Sequence, residues 1–373
     1  MTILIAPDKF KGSLSAQEVC DVISGELGSH GAYNIVALPL ADGGEGTCEL
    51  LTKFSGGTML SVPVRDPLAR TIDSQIGVSK DGRIAFLEMA TASGLQLLKK
   101  GDRNPLFTTT LGTGDLIRAA LDRGADHIIM GVGGSATNDG GMGMAESLGV
   151  AYYDSSGNKL AGIGKNLALI QSLNLSQLHP RLATVRFTIF CDVDNPLHGI
   201  NGAAHIFSPQ KGADEKMVEE LDNGLKHYEK ILEANTGRGV DFPGAGAGGG
   251  LPASLKAFAS IEIRRGMDFI AEFTGLEDKI SNADFVITGE GKVDNQTLAG
   301  KVVKGVADLA GKHKKNLVVV AGKNELSGQD LAKLGAVRVV TLVGGGLNEQ
   351  EAIENASNVL KKRVREQIFP LFL

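Results

Sequence analysis

Five short stretches of this chain mix glycines and other small residues with carboxylates, hydroxyls and lysines, a combination suited to handling phosphate. The first is Asp8-Lys9-Phe10-Lys11-Gly12-Ser13. Its two lysines flank a turn ahead of a helix start, where backbone N–H groups and the helix dipole favour anions. A solvated loop with Ser13 or Ser15 capping the helix is the plainer reading. The second, Asp42-Gly43-Gly44-Glu45-Gly46-Thr47, sets two acids among three glycines. A carboxylate near a helix N-terminus stabilises it by about 0.3–1 kcal/mol, which explains either acid but not the glycines.

The third stretch is the densest, GVGGSATNDGGMG at 131–143. Gly133, Gly134, Ser135 and Thr137 offer backbone donors and hydroxyls that suit a phosphate, with Asp139 beside them. A plain connecting loop has no need of so many glycines. The fourth, Cys191-Asp192-Val193-Asp194-Asn195-Pro196, has two acids and an amide that could ligate Mg²⁺ or accept a hydroxyl proton. An Asx-type turn ahead of Pro196 is its structural alternative. The fifth, TGEGKVDNQT at 288–297, is followed by Gly300-Lys301. It brings Glu290, Lys292 and Asp294 into ten residues.

Several familiar sites are excluded. No GxxxxGK[ST] occurs, because Gly300-Lys301 is followed by Val302. There is no HExxH and no GxSxG, and the seven histidines are scattered along the chain. One rival remains: Gly131-x-Gly133-x-x-Ala136, with Asp154 downstream, fits a degenerate dinucleotide fingerprint and would suggest an NAD-dependent oxidoreductase. It leaves the other four stretches unexplained, and Asn138-Asp139-Gly140 fall where its helix should already be running.

The elements that must position these residues follow from periodicity. A strand at 2–6, a helix opened by the capping box Ser15/Glu18, and a strand at 35–40 followed by a helix to Phe54 make a βαβα pattern. That pattern predicts a parallel sheet with crossover helices. Strands at 59–64, 71–78 and 84–89 read as an antiparallel meander. A helix at 113–123, strands at 127–132 and 185–191, and helical stretches at 214–234 and 252–275 come next. From Ala283 the parallel pattern returns, with strands at 285–288, 317–321 and 337–343 between helices near 300–312, 327–334 and 348–366. The fold class is therefore α/β: a Rossmann-like parallel domain formed by both chain ends (1–60 and 282–373), with a mixed α/β domain (61–281) inserted. Loops from both parts could meet only in a cleft between them, which is where the active site is expected.

Composition agrees with an enzyme of this kind. The 373 residues include 50 glycines, about twice the usual share, and they cluster at predicted strand ends. Lys and Arg total 38 against 43 Asp and Glu, so the basic excess of a nucleic-acid binder is missing. The run KKRVR at 361–365 reads as a solvated helix face. No apolar run approaches the roughly 20 residues of a membrane span. Three separated cysteines and a start lacking signal-peptide character suit a reduced, cytoplasmic compartment.

In order along nearly the whole chain, APDKFKGSLSA, LPLADGGEGT, GGSATNDGGMG, CDVDNPLHGINGA, GAGAGGGL, GMDFI and ITGEGKVDNQTLAGK resemble the type I glycerate kinase family. One departure is Pro252, where a small residue is expected. The resemblance implies ATP-dependent phosphorylation of D-glycerate, with 2-phosphoglycerate the usual product, and a two-domain architecture with a cleft. A kinase needs positioning and charge stabilisation around an in-line transfer. The candidates for each role are then as follows. Gly133–Thr137 would cradle phosphates, and Glu290 and Asp294 would hold Mg²⁺. Lys9, Lys11 or Lys292 would grip an anion. Asp192, or second Asp42, would take the hydroxyl proton. Asp8, Glu45, Asp139 and Lys301 complete the expected binding set. Expected partners are small molecules, ATP and D-glycerate, with neither nucleic acid nor membrane, and a homodimer is left open. A non-catalytic nucleotide-binding regulator is a third reading, against which the acid-rich loops argue.

Overall fold

The computed structural model describes residues 1–298, 300–344 and 346–373. In chain order the strands are β1 (Thr2–Ile5), β2 (Asn34–Ala37), β3 (Thr58–Arg65), β4 (Thr71–Val78), β5 (Ile84–Glu88), β6 (His127–Gly131) and β7 (Ala151–Tyr153). They continue as β8 (Lys159–Leu160), β9 (Ser172–Asn174), β10 (Arg186–Phe190), β11 (Ser260–Arg264), β12 (Phe285–Val293), β13 (Asn316–Asn324) and β14 (Arg338–Thr341). The chain divides into two units, Met1–Asp42 with Met267–Leu373, and Gly43–Gly266.

The first unit holds a five-stranded sheet in the order β14-β13-β12-β1-β2, with every pairing parallel. Ile3, Leu4 and Ile5 are all fully buried, as expected of a strand covered on both faces. Ile3, Ile5, Ile287, Val318 and Val320 share one apolar cluster with Val19, Ile23 and Leu27 of helix α1 (Ala16–Gly28). The helix Val302–Lys312 packs against β12 and β13 and buries Val302, Val303 and Val306. Ser15 and Glu18 form the capping box that starts α1. By order of appearance the strands run 2-1-3-4-5, so the winding reverses between β1 and β12. Ligands of open α/β sheets bind outside the carboxyl ends of strands at such a reversal.

The second unit holds a six-stranded sheet ordered β11-β10-β6-β5-β4-β3. The β3-β4-β5 meander is antiparallel, whereas β5, β6, β10 and β11 pair in parallel. A small antiparallel sheet, β8-β7-β9, lies in the same unit. Helix α2 (Thr47–Phe54) packs on β4 and β5.

Three expectations from the sequence need correction. The helical stretch expected over 252–275 is broken by β11, because half-buried Ile261 and Ile263 alternate with more exposed neighbours and pack on the sheet core. An apolar stretch with SIEIR in its middle fits either period, and only the parallel partner β10 decides it. The small β7–β9 sheet was not foreseen, its strands being two or three residues long. The unit boundaries also fall at 42/43 and 266/267 rather than at 60/61 and 281/282. Helix α2 joins the second unit because its apolar face lies on β4 and β5. At the other boundary, Met267 packs against Gly305 of the first unit, where an added Cβ would meet its Cε at 3.0 Å. Pro252 stands in the first turn of the helix Leu251–Phe258, where its missing N–H leaves no bond unmade.

Candidate active site

In the first unit the strand reversal gathers carboxylates. Asp8 follows β1, and its backbone N–H donates to Gly289 O of β12 at 2.8 Å, which brings it beside Glu290. Gly291 lets the two segments approach: a Cβ there would lie 2.8 Å from Lys11 N and 3.1 Å from Phe10 Cα. Asp8 and Glu290 are both buried. Burial pushes the Asp8 carboxyl up to about 7, with the negative charge of Asp42 adding to the shift. Burial likewise pushes Glu290 up to about 7, and the charge of Asp8 adds to it despite a 2.6 Å hydrogen bond from Thr297 Oγ1. Lys301 eases both acids, and its Nζ lies 3.9 Å from Asp42 Oδ2.

The remaining candidates of this unit sit around that group. Asp294 Oδ1 accepts the Gln296 N–H at 2.8 Å, and its Oδ2 faces Lys292 Nζ at 3.5 Å. Lys292 is half exposed and pairs more closely with Glu325 Oε2, at 2.7 Å. Asp294 is thus held in a turn and in an ion pair. Lys9 and Lys11 lie on the β1–α1 loop, the former half-buried and the latter exposed. The candidate ligand atoms of Asp8, Glu290 and Asp42 are all carboxylate oxygens, and burial raises both Asp8 and Glu290, helped by the charge of Asp42 on the first and of Asp8 on the second. Such a set fits a hard divalent cation such as Mg²⁺.

In the second unit the parallel strands end level with one another: Glu88, Gly131 and Phe190 are register partners across β5, β6 and β10. The glycine loop after β6, Asp192 after β10 and the Gly43–Gly46 loop therefore share one sheet edge. Gly43 adopts φ 93°, and a Cβ there would meet Gly266 Cα at 2.9 Å. Gly131 passes so close that a Cβ would meet Gly43 O at 2.6 Å. Asp192 is exposed, and its Oδ1 accepts the Gly266 N–H at 3.3 Å. Glu45 is exposed on the same edge.

Glu88 was not expected from the sequence. It is buried at the end of β5, and its Oε1 accepts the N–H groups of Gly46 (2.9 Å) and Cys48 (2.8 Å), so it caps α2. The helix-stabilising duty that could have explained Glu45 is filled by another residue. Glu88→Ala is expected to cost about 1–3 kcal/mol, since the buried Cys48 N–H and the part-buried Gly46 N–H lose their acceptor. An unchanged urea midpoint would show that water replaces the carboxylate.

Within the glycine loop the candidates separate by depth. Gly133 and Gly134 are exposed, Ser135 lies just beneath them, and Thr137, Asn138 and Asp139 are fully buried. Asp139 accepts from Thr110 N, Thr110 Oγ1, Gly141 N and Gly143 N. Burial raises its pKa while these donors oppose the shift. Asp139 and Thr137 are therefore internal supports of the loop, not groups on its rim, and the Ala136 N–H is taken by Ser93 O. Gly140 and Gly141 serve packing: Cβ atoms there would meet Tyr228 and Ser254 at 2.8 Å. The helix Met142–Ser147 begins only after the whole loop, so no dinucleotide fingerprint is formed.

Lys211 also went unseen in the sequence. It is buried, with Nζ donating to Ser135 Oγ (2.8 Å) and Thr137 O (2.7 Å). Burial pushes its ammonium down to about 7, and Asp139 opposes the shift. One histidine lies in a group of possible ligands: His198, Glu229 and Asp241 place ligand atoms within 4.8 Å of one another. A 2.7 Å bond between His198 Nε2 and Glu229 Oε2, and the Leu197 N–H on Asp241 Oδ1, tie down the turn at 197–199. Among the described residues, no helix is long and apolar enough to cross a membrane.

Comparisons with known proteins agree with this chemistry. The model of the glycerate kinase family matches residues 3–372. Glycerate 2-kinase of Escherichia coli K12 is 45% identical over 326 residues, covering 86% of this chain and 85% of the relative. Glycerate kinase of Bacillus subtilis 168 is 40% identical over 370 residues, covering 98% and 96%. A crystal structure from Salmonella typhimurium LT2, assigned as glycerate kinase 2, superposes with a TM-score of 0.87 at 40% identity and covers 100% of this chain and 98% of its own. The oxidoreductase alternative finds no support among them. The chain is an enzyme of the glycerate kinase family.

Proposed function

We propose that this kinase transfers the γ-phosphoryl group of ATP to the 2-hydroxyl of D-glycerate. One observation carries the site assignment: on a single edge of the second unit's sheet, an exposed Gly133-Gly134 turn backed by Ser135 lies beside Asp192. In this reading the turn is a phosphate cradle next to a proton acceptor. The relative named glycerate 2-kinase supports the position of transfer.

In this reading the N–H groups at Gly133–Ser135 and the Ser135 hydroxyl bind phosphate oxygens. Asp192 orients the attacking hydroxyl and accepts its proton, with Asp42 the second candidate. Lys9, Lys11 and Lys301 supply positive charge for the glycerate carboxylate or the phosphates, and Glu45 orders substrate hydroxyls. Mg²⁺ would be held by Glu290 with Asp8, which takes the place first given to Asp294 because that carboxylate is already engaged by Gln296 and Lys292. When bound, the ion neutralises charge that builds on the phosphates.

Phosphorus NMR of the product from D-glycerate and ATP tests donor, acceptor and position together. The 2-phosphoglycerate signal is expected, and 3-phosphoglycerate would overturn the position. A thermal-shift series is expected to show stabilisation by Mg·ATP and none by NAD(H), since a ligand of the native state raises its stability by mass action. No shift with Mg·ATP at millimolar concentration would remove ATP as the donor.

A further inference from the structure

We infer that Lys211 is a positioning residue that turns Ser135 into a one-way hydrogen-bond donor aimed out of the glycine loop. This rests on the phosphate-cradle reading above and names a residue that sets its polarity.

An ammonium has three N–H donors and no lone pair. Where the Lys211 ammonium meets Ser135 Oγ at 2.8 Å, the hydroxyl oxygen must accept. The Ser135 proton then has to point elsewhere, and the residue retains a narrow exposure of 8% beneath Gly133 and Gly134. A hydroxyl free to rotate would present lone pairs or a proton to a ligand with equal ease. One held from behind presents only the proton, which suits an anionic oxygen.

Lys211 is well placed to impose this direction. It belongs to the single turn Pro209–Lys211, and its second bond, to Thr137 O at 2.7 Å, fixes Nζ between two residues of the same loop. A carbonyl can only accept, so that bond too requires a donating nitrogen. Burial disfavours the Lys211 ammonium and the nearby Asp139 opposes that shift, while Asp139 itself is anchored by four donors from Thr110, Gly141 and Gly143. The loop is thus strung between two buried, hydrogen-bonded ionisable side chains, Lys211 and Asp139. Burying an ammonium is costly unless its donors are used. Loop closure alone would be served as well by an apolar side chain of this length.

The test is a double-mutant cycle on KM and kcat with Ser135→Ala and Lys211→Met in the full chain, each variant first checked by its melting curve. Ser135→Ala is expected to raise KM for one substrate, ATP or D-glycerate, by roughly tenfold, as for one lost bond to a charged group. Lys211→Met is expected to raise the same KM and to add nothing in the Ser135→Ala background. If the two effects multiply, or if folded Lys211→Met leaves that KM unchanged, the inference is overturned. Should Lys211→Met fail to fold, Lys211→Gln takes its place in the cycle under the same criteria. If Ser135→Ala alters neither KM, the cradle reading itself falls and takes the inference with it; an effect of Ser135→Ala without coupling sinks the inference only.

Discussion

Asp192→Asn is expected to lower turnover by roughly 10²–10⁴, with melting temperature and both KM values little changed, the usual size of a lost general base. The side chain is exposed, so an amide there meets no burial cost. Asparagine also keeps the Oδ1 acceptor that receives the Gly266 N–H, so the loop geometry is preserved. What disappears is the basicity of the second oxygen. Steady-state kinetics on a variant with a parental melting curve decides the matter. Near-normal turnover would move the role to Asp42, and a variant that fails to fold would mark Asp192 as a turn former.

Glu290→Gln is expected to do two opposite things: cut turnover by roughly 10²–10³, as for loss of one charge-stabilising group, and raise thermal stability above neutral pH. The second effect follows from linkage. The folded-state pKa of Glu290 is raised to about 7, above the 4.5 of the free side chain, because burial and the charge of Asp8 disfavour the anion. Below about pH 4.5 both folded and unfolded chains are protonated at this position and no penalty exists. Between about 4.5 and 7 the unfolded chain releases its proton first, so stability falls as pH rises. Above 7 the penalty is complete, about 3 kcal/mol at 1.36 kcal/mol per unit. Glutamine never ionises and retains an acceptor for Thr297, so the variant escapes the penalty. Its melting temperature should exceed that of the parent by several degrees at pH 8 and match it near pH 4. Equal melting at both pH values would refute the charge-crowding argument, and an unchanged turnover would remove Glu290 from the site.

These expectations rest on residues that were unequally legible in the sequence. The glycine- and acid-rich stretches were visible because their composition is wasteful for ordinary loops, and the βαβα pattern placed them at strand ends. Depth was not visible. Asp139 has the sequence context of a ligand, yet four donors converge on it inside the unit. Lys211, in the turn PQK, reads as one more solvated lysine until the fold buries it against Ser135. Glu88 ends an ordinary strand, and its duty depends on α2 arriving from forty residues earlier in the chain. Strand β11 shows the same limit for backbone: SIEIR satisfies two periods, and the choice is made by a partner 74 residues away.

The parallel sheet of the first unit has a consequence for the order in which the molecule can be completed. Its interior strand β1 is made first, but β12, the neighbour that seals one side of it, begins at Phe285. The hydroxyl of Thr288 that bonds Ala6 O lies 282 residues downstream. At typical synthesis rates of about 5–20 residues per second, β1 waits for that partner for roughly 15–60 seconds. The contiguous second unit emerges complete in the meantime. A nascent chain of this enzyme therefore carries an apolar strand with an open edge through most of its translation, and closing that edge requires the C-terminal segment to return to the beginning.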